Sequence, residues 1–195
     1  MMSMSMNYPD KQYSYKDYLC WTGEERIELI DGIPYNMPPA PSRQHQKILG
    51  KIFWEFQNYL RDKECEVYVS PFDVRLLSED KADNEVKDVV QPDVSVICDK
   101  NKLDEKGCNG SPDLIVEILS PATAKHDRLR KYNLYEKAQV KEYWIVDPVN
   151  ETIEKFILTD ETFARDGVFG KSDTIESHIF TDFKIDLYNI FSESD

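Results

Sequence analysis

The sequence predicts a single-domain α/β protein with a mixed β-sheet covered by helices. Its 195 residues fit one domain with a substantial core. From residue 43 onward, the hydrophobic pattern gives the order helix, three strands, helix, strand. Two nearly continuous apolar runs, at 114–119 and 142–147, are typical of strands buried on both faces. Such strands need a covering layer on each side, which an α/β architecture provides.

Composition excludes several other classes. Hydrophobic residues make up 41% of the chain and aromatic residues 12%, which is not a disordered composition. No apolar run approaches the ~20 residues that a membrane helix needs. The first ten residues are polar and Met-rich and lack the apolar segment of a signal peptide, so we expect a cytoplasmic location. We expect a flexible tail at 1–14 and one domain at 15–191.

The cysteines and histidines do not indicate a zinc site. There is no Cys-x-x-Cys pair among Cys20, Cys65, Cys98 and Cys108, and none of them has a histidine at zinc-ligand spacing. We therefore expect four structural free thiols. The three histidines, His45, His126 and His178, are also widely scattered along the chain.

The first half of the chain predicts a hairpin followed by a long helix. Asp31-Gly32 lies between two apolar alternations within 26–37, which is a strong hairpin signal. Apolar residues then recur at helical spacing over 43–63, and Ser42 can cap this helix. A short helix is expected at 15–23, one strand running from 66 through 77, and a charged loop at 78–88.

The second half predicts three further strands, a second helix and a hairpin. The segments are a strand at 91–98, a polar loop at 99–112, a strand at 114–119, a helix at 124–138 capped by Thr123, a strand at 142–147, and an antiparallel hairpin at 152–158 and 162–169. The end of the chain, 179–191, alternates only weakly.

Two acidic residues in apolar strands carry the chemical information. Glu117 has only apolar neighbours in Leu-Ile-Val-Glu-Ile-Leu, and a buried carboxylate is costly unless it is paired, hydrogen-bonded or bound to metal. Asp93 opens the preceding strand, so adjacent strands could bring both carboxylates together, as a hard cation such as Mg²⁺ requires. The alternatives are a structural salt bridge for Glu117 and a strand-start or turn-capping role for Asp93.

Lys131 and Glu28 are further candidates. Asp127, Lys131 and Tyr135 are spaced four apart and share one face of the second predicted helix. A lysine directed at the end of the sheet could stabilise negative charge on a phosphate, whereas the alternative is a solvated ion pair with Asp127. Glu28 lies in the N-terminal hairpin, where an exposed glutamate is the commoner situation.

The chain resembles a known nuclease family. The order of elements, with Pro-Asp on one strand and a glutamate on the next, is similar to the PD-(D/E)XK nuclease superfamily, and more closely to the Uma-type restriction endonucleases. The matching segments are Glu-Leu-Ile-Asp-Gly (28–32), Pro-Pro-Ala-Pro-Ser-Arg-Gln-His-Gln (38–46), Gln-Pro-Asp-Val-Ser-Val (91–96), Pro-Asp-Leu-Ile-Val-Glu-Ile-Leu-Ser-Pro-Ala-Thr (112–123), Asp127 with Lys131 and Tyr135, and Glu-Tyr-Trp-Ile-Val-Asp (142–147).

This resemblance implies a restriction-endonuclease-like core with an extra N-terminal hairpin and a divalent-metal phosphodiesterase site. It assigns Mg²⁺ or Mn²⁺ binding to Asp93 and Glu117 and a supporting acidic role to Glu28. The superfamily pattern places a lysine two residues after the glutamate, but here that residue is Leu119. Related nucleases can supply the lysine from the following helix, which makes Lys131 the substitute.

The expected function is therefore a Mg²⁺-dependent endonuclease that hydrolyses phosphodiester bonds in DNA. The densest basic segment of the chain, at the start of the second helix, supplies the expected DNA contacts: Lys125, His126, Arg128 and Arg130. A homodimer would suit cleavage of both strands of a duplex. The net charge of −13 and the absent Glu-x-Lys favour an alternative, a catalytically degenerate nuclease-fold protein that acts as a binding or scaffold module.

Overall fold

The computed structural model describes residues 11–23, 26–37, 41–120 and 127–192. These residues form two six-stranded mixed sheets, one small hairpin and four α-helices, and the mixed α/β prediction is confirmed. The helices are α1 (Tyr15–Tyr18), α2 (Arg43–Leu60), α3 (Tyr132–Lys137) and α4 (Leu187–Phe191). None of the described helices is long and apolar enough to cross a membrane.

The described residues contain fourteen strands. They are β1 (Ile27–Ile30), β2 (Ile33–Asn36), β3 (Glu66–Val69), β4 (Val74–Leu76), β5 (Asp88–Val90), β6 (Val94–Ile97), β7 (Leu103–Asp104), β8 (Gly107–Asn109), β9 (Leu114–Ile118), β10 (Glu142–Asp147), β11 (Thr152–Thr159), β12 (Thr162–Gly170), β13 (Thr174–Glu176) and β14 (Lys184–Asp186).

The strands form two sheets that share one core. Sheet I has the order β2-β1-β5-β4-β8-β7, and sheet II has the order β12-β11-β10-β9-β6-β3. In sheet II only β9 and β10 run parallel, with Glu117 opposite Ile145. The inter-sheet core contains Val74 and Val90 from sheet I, Ile115 and Ile145 from sheet II, and residues of α3. Sheet II is thus covered on one face by sheet I and α3.

Helix α2 covers the other face of sheet II. Ser42 caps it by accepting a hydrogen bond from the backbone N–H of His45 at 3.2 Å, as expected. Its buried side chains Ile48, Ile52 and Phe56 pack on Val94 and other residues of β6, β9 and β10 to form a second core. The predicted helix at 43–63 is therefore confirmed, with its end three residues earlier, at Leu60.

The N-terminal hairpin forms as predicted. Asp31 and Gly32 both have positive φ, 52° and 74°, as the two central residues of a type I′ hairpin turn require. The backbone N–H of Tyr13 donates to the carbonyl of Gly32 at 2.8 Å, and a Cβ on Gly32 would lie 2.9 Å from the Tyr13 carbonyl oxygen. Tyr13 and Ser14, at the end of the segment expected to be a flexible tail, are buried. Residues 1–10 of that tail lie outside the described residues.

Several expectations about strands are corrected. The single strand predicted from 66 to 77 is two strands in different sheets, β3 in sheet II and β4 in sheet I, separated by a cis Ser70–Pro71 bond. Proline lacks an N–H and interrupts the ladder, so the chain changes sheet there. The segment at 78–88, predicted as a loop, ends with Asp88, the first residue of β5. The loop predicted at 99–112 contains the whole of β7 and β8. These strands are short, and their apolar patterns are too brief to detect.

The expectation of four free thiols is wrong for two of them. Cys65 and Cys98 form a disulfide between the neighbouring strands β3 and β6. The register pairs Glu66 with Ile97, so the two cysteines lie one step further along the same ladder and face each other. Sequence spacing gave no sign of this contact because it depends on strand pairing. Cys20 and Cys108 are free thiols, as predicted.

The described part of the second predicted helix is helical from Asp127 to Lys137. A π-helical turn spans Asp127–Lys131 and leads directly into α3. The predicted helix start and its cap, Thr123, lie outside the described residues, as do Lys125 and His126. The strand at 142–147 and the hairpin at 152–169 are confirmed as β10, β11 and β12.

Candidate active site

Glu117 faces the inter-sheet core from the centre of β9. Strand geometry places alternate side chains on opposite faces. Val116 and Ile118 belong to the core beneath α2, whereas Ile115 and Leu119 belong to the inter-sheet core, so Glu117 points between the two sheets. Only 3% of Glu117 is exposed. A carboxylate in this position requires partners, and the structure supplies them.

Lys131 joins Glu117 to Glu28. Its Nζ lies 2.9 Å from Oε1 of Glu117 and 2.9 Å from Oε1 of Glu28. Lys131 and Glu28 are each only 3% exposed, so this is a buried three-residue ionic cluster. The burial of both side chains contradicts the alternatives of an exposed glutamate at position 28 and a solvated lysine at position 131. Glu28 also accepts a hydrogen bond from the backbone N–H of Gln91 at 2.8 Å, two residues before Asp93.

Tyr135 completes the contacts to Glu117. Its hydroxyl donates to Oε1 of Glu117 at 2.6 Å, and its ring makes an edge contact with Tyr143. Burial, and then the neighbouring Glu117 carboxylate, raise the pKa of Tyr135 well above its usual value. The hydroxyl therefore keeps its proton and acts as a donor. Lys131 and Tyr135 are four residues apart and approach Glu117 from the same side.

Asp93 lies at the start of β6, opposite Glu117. The antiparallel register pairs Val94 with Val116, so Asp93, which directly precedes β6, lies next to the part of β9 that contains Glu117 and Ile118. Oδ2 of Asp93 accepts hydrogen bonds from the backbone N–H of Ile118 at 2.7 Å and from Nε2 of His45 at 3.2 Å. Both hydrogen bonds described for the Asp93 carboxylate fall on this one oxygen. The described contacts thus join Glu28, Lys131 and Glu117 to one another, and Asp93 to His45 and to the Ile118 backbone next to Glu117.

The predicted DNA-contact residues are not equally available. Arg128 forms ion pairs with Glu154 and, at 3.8 Å, with Asp147. Arg130 is exposed and stacks on Tyr35, with its guanidinium carbon 4.5 Å from the ring centroid. Lys125 and His126 lie outside the described residues. Two of the four predicted contacts, Arg128 and Arg130, are thus described. Arg128 is paired with acidic residues, whereas Arg130 has no acidic partner among the described residues.

Leu119 cannot take the place of the missing lysine. Its side chain is buried in the inter-sheet core, where an ammonium group would find an apolar environment. Lys131 reaches Glu117 from the following element instead. Sequence reasoning missed His45 as a site neighbour, although a signal was present: His45 precedes Ile48 and Leu49 by three and four residues, on the buried face of α2.

Among the described residues, no three His, Cys, Asp or Glu side chains converge as a complete metal cage. The carboxylates instead meet around Lys131 and at the β6–β9 junction. The arrangement can place one ammonium and several carboxylate oxygens next to a bound polar group.

Comparison with known proteins gives consistent results. A protein of Synechocystis sp., named "Uncharacterized protein slr1290", is 28% identical over 164 residues, covering 83% of this chain and 82% of that protein. A crystal structure from Anabaena variabilis, described as "a putative nuclease belonging to DUF820", superposes with a TM-score of 0.72 at 16% identity. It covers 91% of this chain and 97% of that chain. At this identity the superposition shows the shared fold.

The family assignment rests on a match over most of the chain. The Uma2 family, described as "Putative restriction endonuclease", matches residues 15–188. The two mixed sheets agree with the restriction-endonuclease-like fold. This chain belongs to the Uma2 family, within the restriction-endonuclease-like superfamily.

Proposed function

We propose that this chain is a divalent-metal-dependent endonuclease that hydrolyses phosphodiester bonds in DNA. The observation that carries the proposal is the buried Lys131, held by Glu28 and Glu117 at the point where β9 meets Asp93. A buried ionic cluster is costly to assemble, and replacing such groups with apolar ones is often neutral or stabilising. A functional role is a physical reason for this chain to keep it.

The residues at this site fit Mg²⁺ or Mn²⁺. Together with Asp93, the ionic cluster of Glu28, Lys131 and Glu117 has three carboxylates and one lysine, so the proposed site has an excess of negative charge that a divalent cation would offset. Mg²⁺ binds through one or two carboxylates and keeps several waters, so a complete protein cage is not needed. Asp93 and Glu117 would hold the cation, which when bound supplies an activated water and neutralises phosphate charge.

The protein's own residues have separate tasks in this proposal. Lys131 places a positive charge beside Glu117, where it stabilises the negative charge that develops on the phosphate. Glu28 and Tyr135 hold Lys131 and Glu117 in place through contacts of 2.9 Å and 2.6 Å. Arg130, with Lys125 and His126 before it, would contact the nucleic-acid backbone. A two-fold homodimer would present one such site to each strand of a duplex.

A cleavage assay tests this proposal. The wild type is incubated with Mg²⁺ or Mn²⁺ and with duplex DNA, single-stranded DNA and RNA. Asp93→Asn and Glu117→Gln should abolish cleavage, and Lys131→Met should lower turnover by at least ~10²-fold, the scale for losing one electrostatic stabiliser. Lys155→Met is the matched control, because Lys155 is also a buried lysine in an ion pair, with Asp166, but on β11. Cleavage by the Lys131 variant at the rate of the Lys155 variant would contradict the proposal.

One observation favours a second function. Lys131 already neutralises part of the charge on Glu28 and Glu117, so the cluster could be a static replacement for a metal in a binding or scaffold module. A calorimetric titration with Mn²⁺ separates the two functions. Binding that disappears in Asp93→Asn supports the enzyme, whereas no binding by the folded wild type supports the module.

A further inference from the structure

His45 lies in the first turn of α2 and is directed at the proposed site. It is 7% exposed, and its Nε2 is 3.2 Å from Oδ2 of Asp93. The start of the helix is fixed on both sides: Ser42 caps the backbone N–H of His45, and Nε2 of Gln44 donates to the carbonyl of Pro148 at 3.0 Å. His45 is therefore held in place by its helix.

The contacts to Asp93 fix one oxygen of its carboxylate. Oδ2 accepts from His45 on α2 and from the backbone N–H of Ile118 on β9, so two separate elements prevent the carboxylate from rotating. A carboxylate oxygen accepts this hydrogen bond when the imidazole donates it, so the inference requires the His45 tautomer that carries its proton on Nε2. Among the described residues, no hydrogen bond to Oδ1 is formed. Oδ1 is the oxygen of this carboxylate that these contacts do not use.

We propose that His45 is a positioning residue that holds Oδ2 of Asp93, so that Oδ1 is presented to a divalent cation. This inference rests on the proposed function. A carboxylate that ligates a metal is usually hydrogen-bonded by a second group, and loss of that group typically lowers metal affinity or activity 10–100-fold. His45 acts through Asp93 and needs no contact with the substrate.

Metal affinity of the full chain tests the inference directly. Calorimetric titration with Mn²⁺ should show affinity about 10–100-fold weaker in His45→Ala than in the wild type. His45→Gln should recover most of the affinity, because its amide can still donate to Oδ2. His178→Ala is the matched control: His178 is an exposed histidine near β13, and its removal should leave affinity unchanged. A role limited to folding would not be rescued selectively by Gln.

A second measurement needs no metal. Two-bond ¹⁵N–¹H correlation spectra distinguish the two tautomers of a histidine ring, and the metal-free wild type should show His45 protonated on Nε2. Asp93→Ala should release this preference while the His178 signals stay the same. Circular dichroism of all variants verifies that they are folded.

The outcomes separate this inference from the proposed function. If the wild type binds Mn²⁺ but His45→Ala binds equally well, or if Nε2 carries no proton, the positioning role is overturned and the proposed function stands. If the folded wild type binds no divalent cation, the proposed function fails and the inference fails with it. Weakened binding in Ala, recovery in Gln and the Nε2–H tautomer together establish the role.

Discussion

Lys131 is the residue on which the stability of the site depends. Its ammonium contacts the carboxylates of the buried Glu28 and Glu117. Lys131→Met would therefore leave these two carboxylates close together in the inter-sheet core without that cation. Breaking a buried pair by removing one partner typically costs ~3–5 kcal/mol. We expect Lys131→Met to lower the free energy of unfolding by about that amount, measured by urea denaturation without metal. Added Mn²⁺ should restore part of the loss.

Lys141→Met is the control for this prediction. Lys141 also pairs with an aspartate, Asp113, but its side chain is 64% exposed, so the loss should stay below ~1 kcal/mol. Equal losses in the two variants would mean that the buried cluster has no special energetic role. If Lys131→Met loses stability but Mn²⁺ restores none of it, the cluster is a purely structural salt bridge and not part of a metal site.

At the residue scale, sequence analysis identified the acidic residues but not their environment. Glu117 stood out because a charge within an apolar strand is costly, and that reasoning is local. The burial of Glu28 and the contact between Lys131 and Glu28 could not be predicted, because they depend on how β1 of sheet I packs over β9 of sheet II. His45 had a detectable position on the buried face of α2, but its contact with Asp93 requires knowledge of the tertiary structure.

At the element scale, the disulfide ties the edge strand β3 to β6. Cys65 and Cys98 are 33 residues apart, and closing a loop of that length stabilises a folded chain by roughly 3–4 kcal/mol. The double variant Cys65→Ser, Cys98→Ser should be less stable by about that amount, measured by urea denaturation under non-reducing conditions. Cys20→Ser is the control, because Cys20 is an exposed free thiol. If reduction leaves the wild-type transition unchanged, the cross-link does not contribute in solution.

Helices and strands could be predicted where one hydrophobic pattern corresponds to one element. Helix α2 and strands β9 and β10 have long patterns whose periods match their structures. The prediction of one strand at 66–77 was wrong because the alternation of apolar and polar residues continues across Pro71, whereas the chain passes there from sheet II to sheet I. Strands β7 and β8 have two and three residues, and such strands are determined by their partners rather than by their own sequence.

On the scale of the whole molecule, a net charge of −13 opposes binding to nucleic acid. Repulsion from the acidic body extends about a Debye length, ~8 Å at physiological salt, so local cations must supply the contacts. Arg128 is already paired with Glu154 and Asp147, whereas Arg130 stacks on Tyr35. We expect Arg130→Gln to reduce the slope of log affinity against log salt by about 1, and Arg128→Gln to change it little. Fluorescence anisotropy with labelled DNA measures this slope, and equal slopes in all three proteins would place the contact surface elsewhere.

Alkaline pH should destabilise the whole fold because several buried acidic groups must ionise when it unfolds. Burial raises the pKa of the Cys108 thiol to about 12, and burial is also the main cause that raises the pKa of Tyr15 and Tyr68 to about 12. The pKa of Tyr135 is raised further, by burial and Glu117. A raised pKa in the folded state contributes stability below the unfolded-state value and loses it as pH rises toward the folded-state value. The free energy of unfolding should therefore start to fall near pH 9, where an unfolded thiol ionises, and fall more steeply above ~10, where unfolded tyrosines ionise.

Cys108→Ala provides the matched comparison for this last prediction. Alanine has no proton to lose, so the decline between pH 9 and ~10 should flatten in the variant, while the steeper decline from the tyrosines should remain. Both proteins are compared in the Cys65→Ser, Cys98→Ser background, because thiolates would otherwise attack the disulfide at this pH. Urea denaturation at each pH gives the stability, and tyrosinate absorbance shows whether the buried tyrosines ionise only on unfolding. A decline of the same slope in both proteins would show that Cys108 ionises in the folded state, which its complete burial beside the carbonyl of Gly110 opposes.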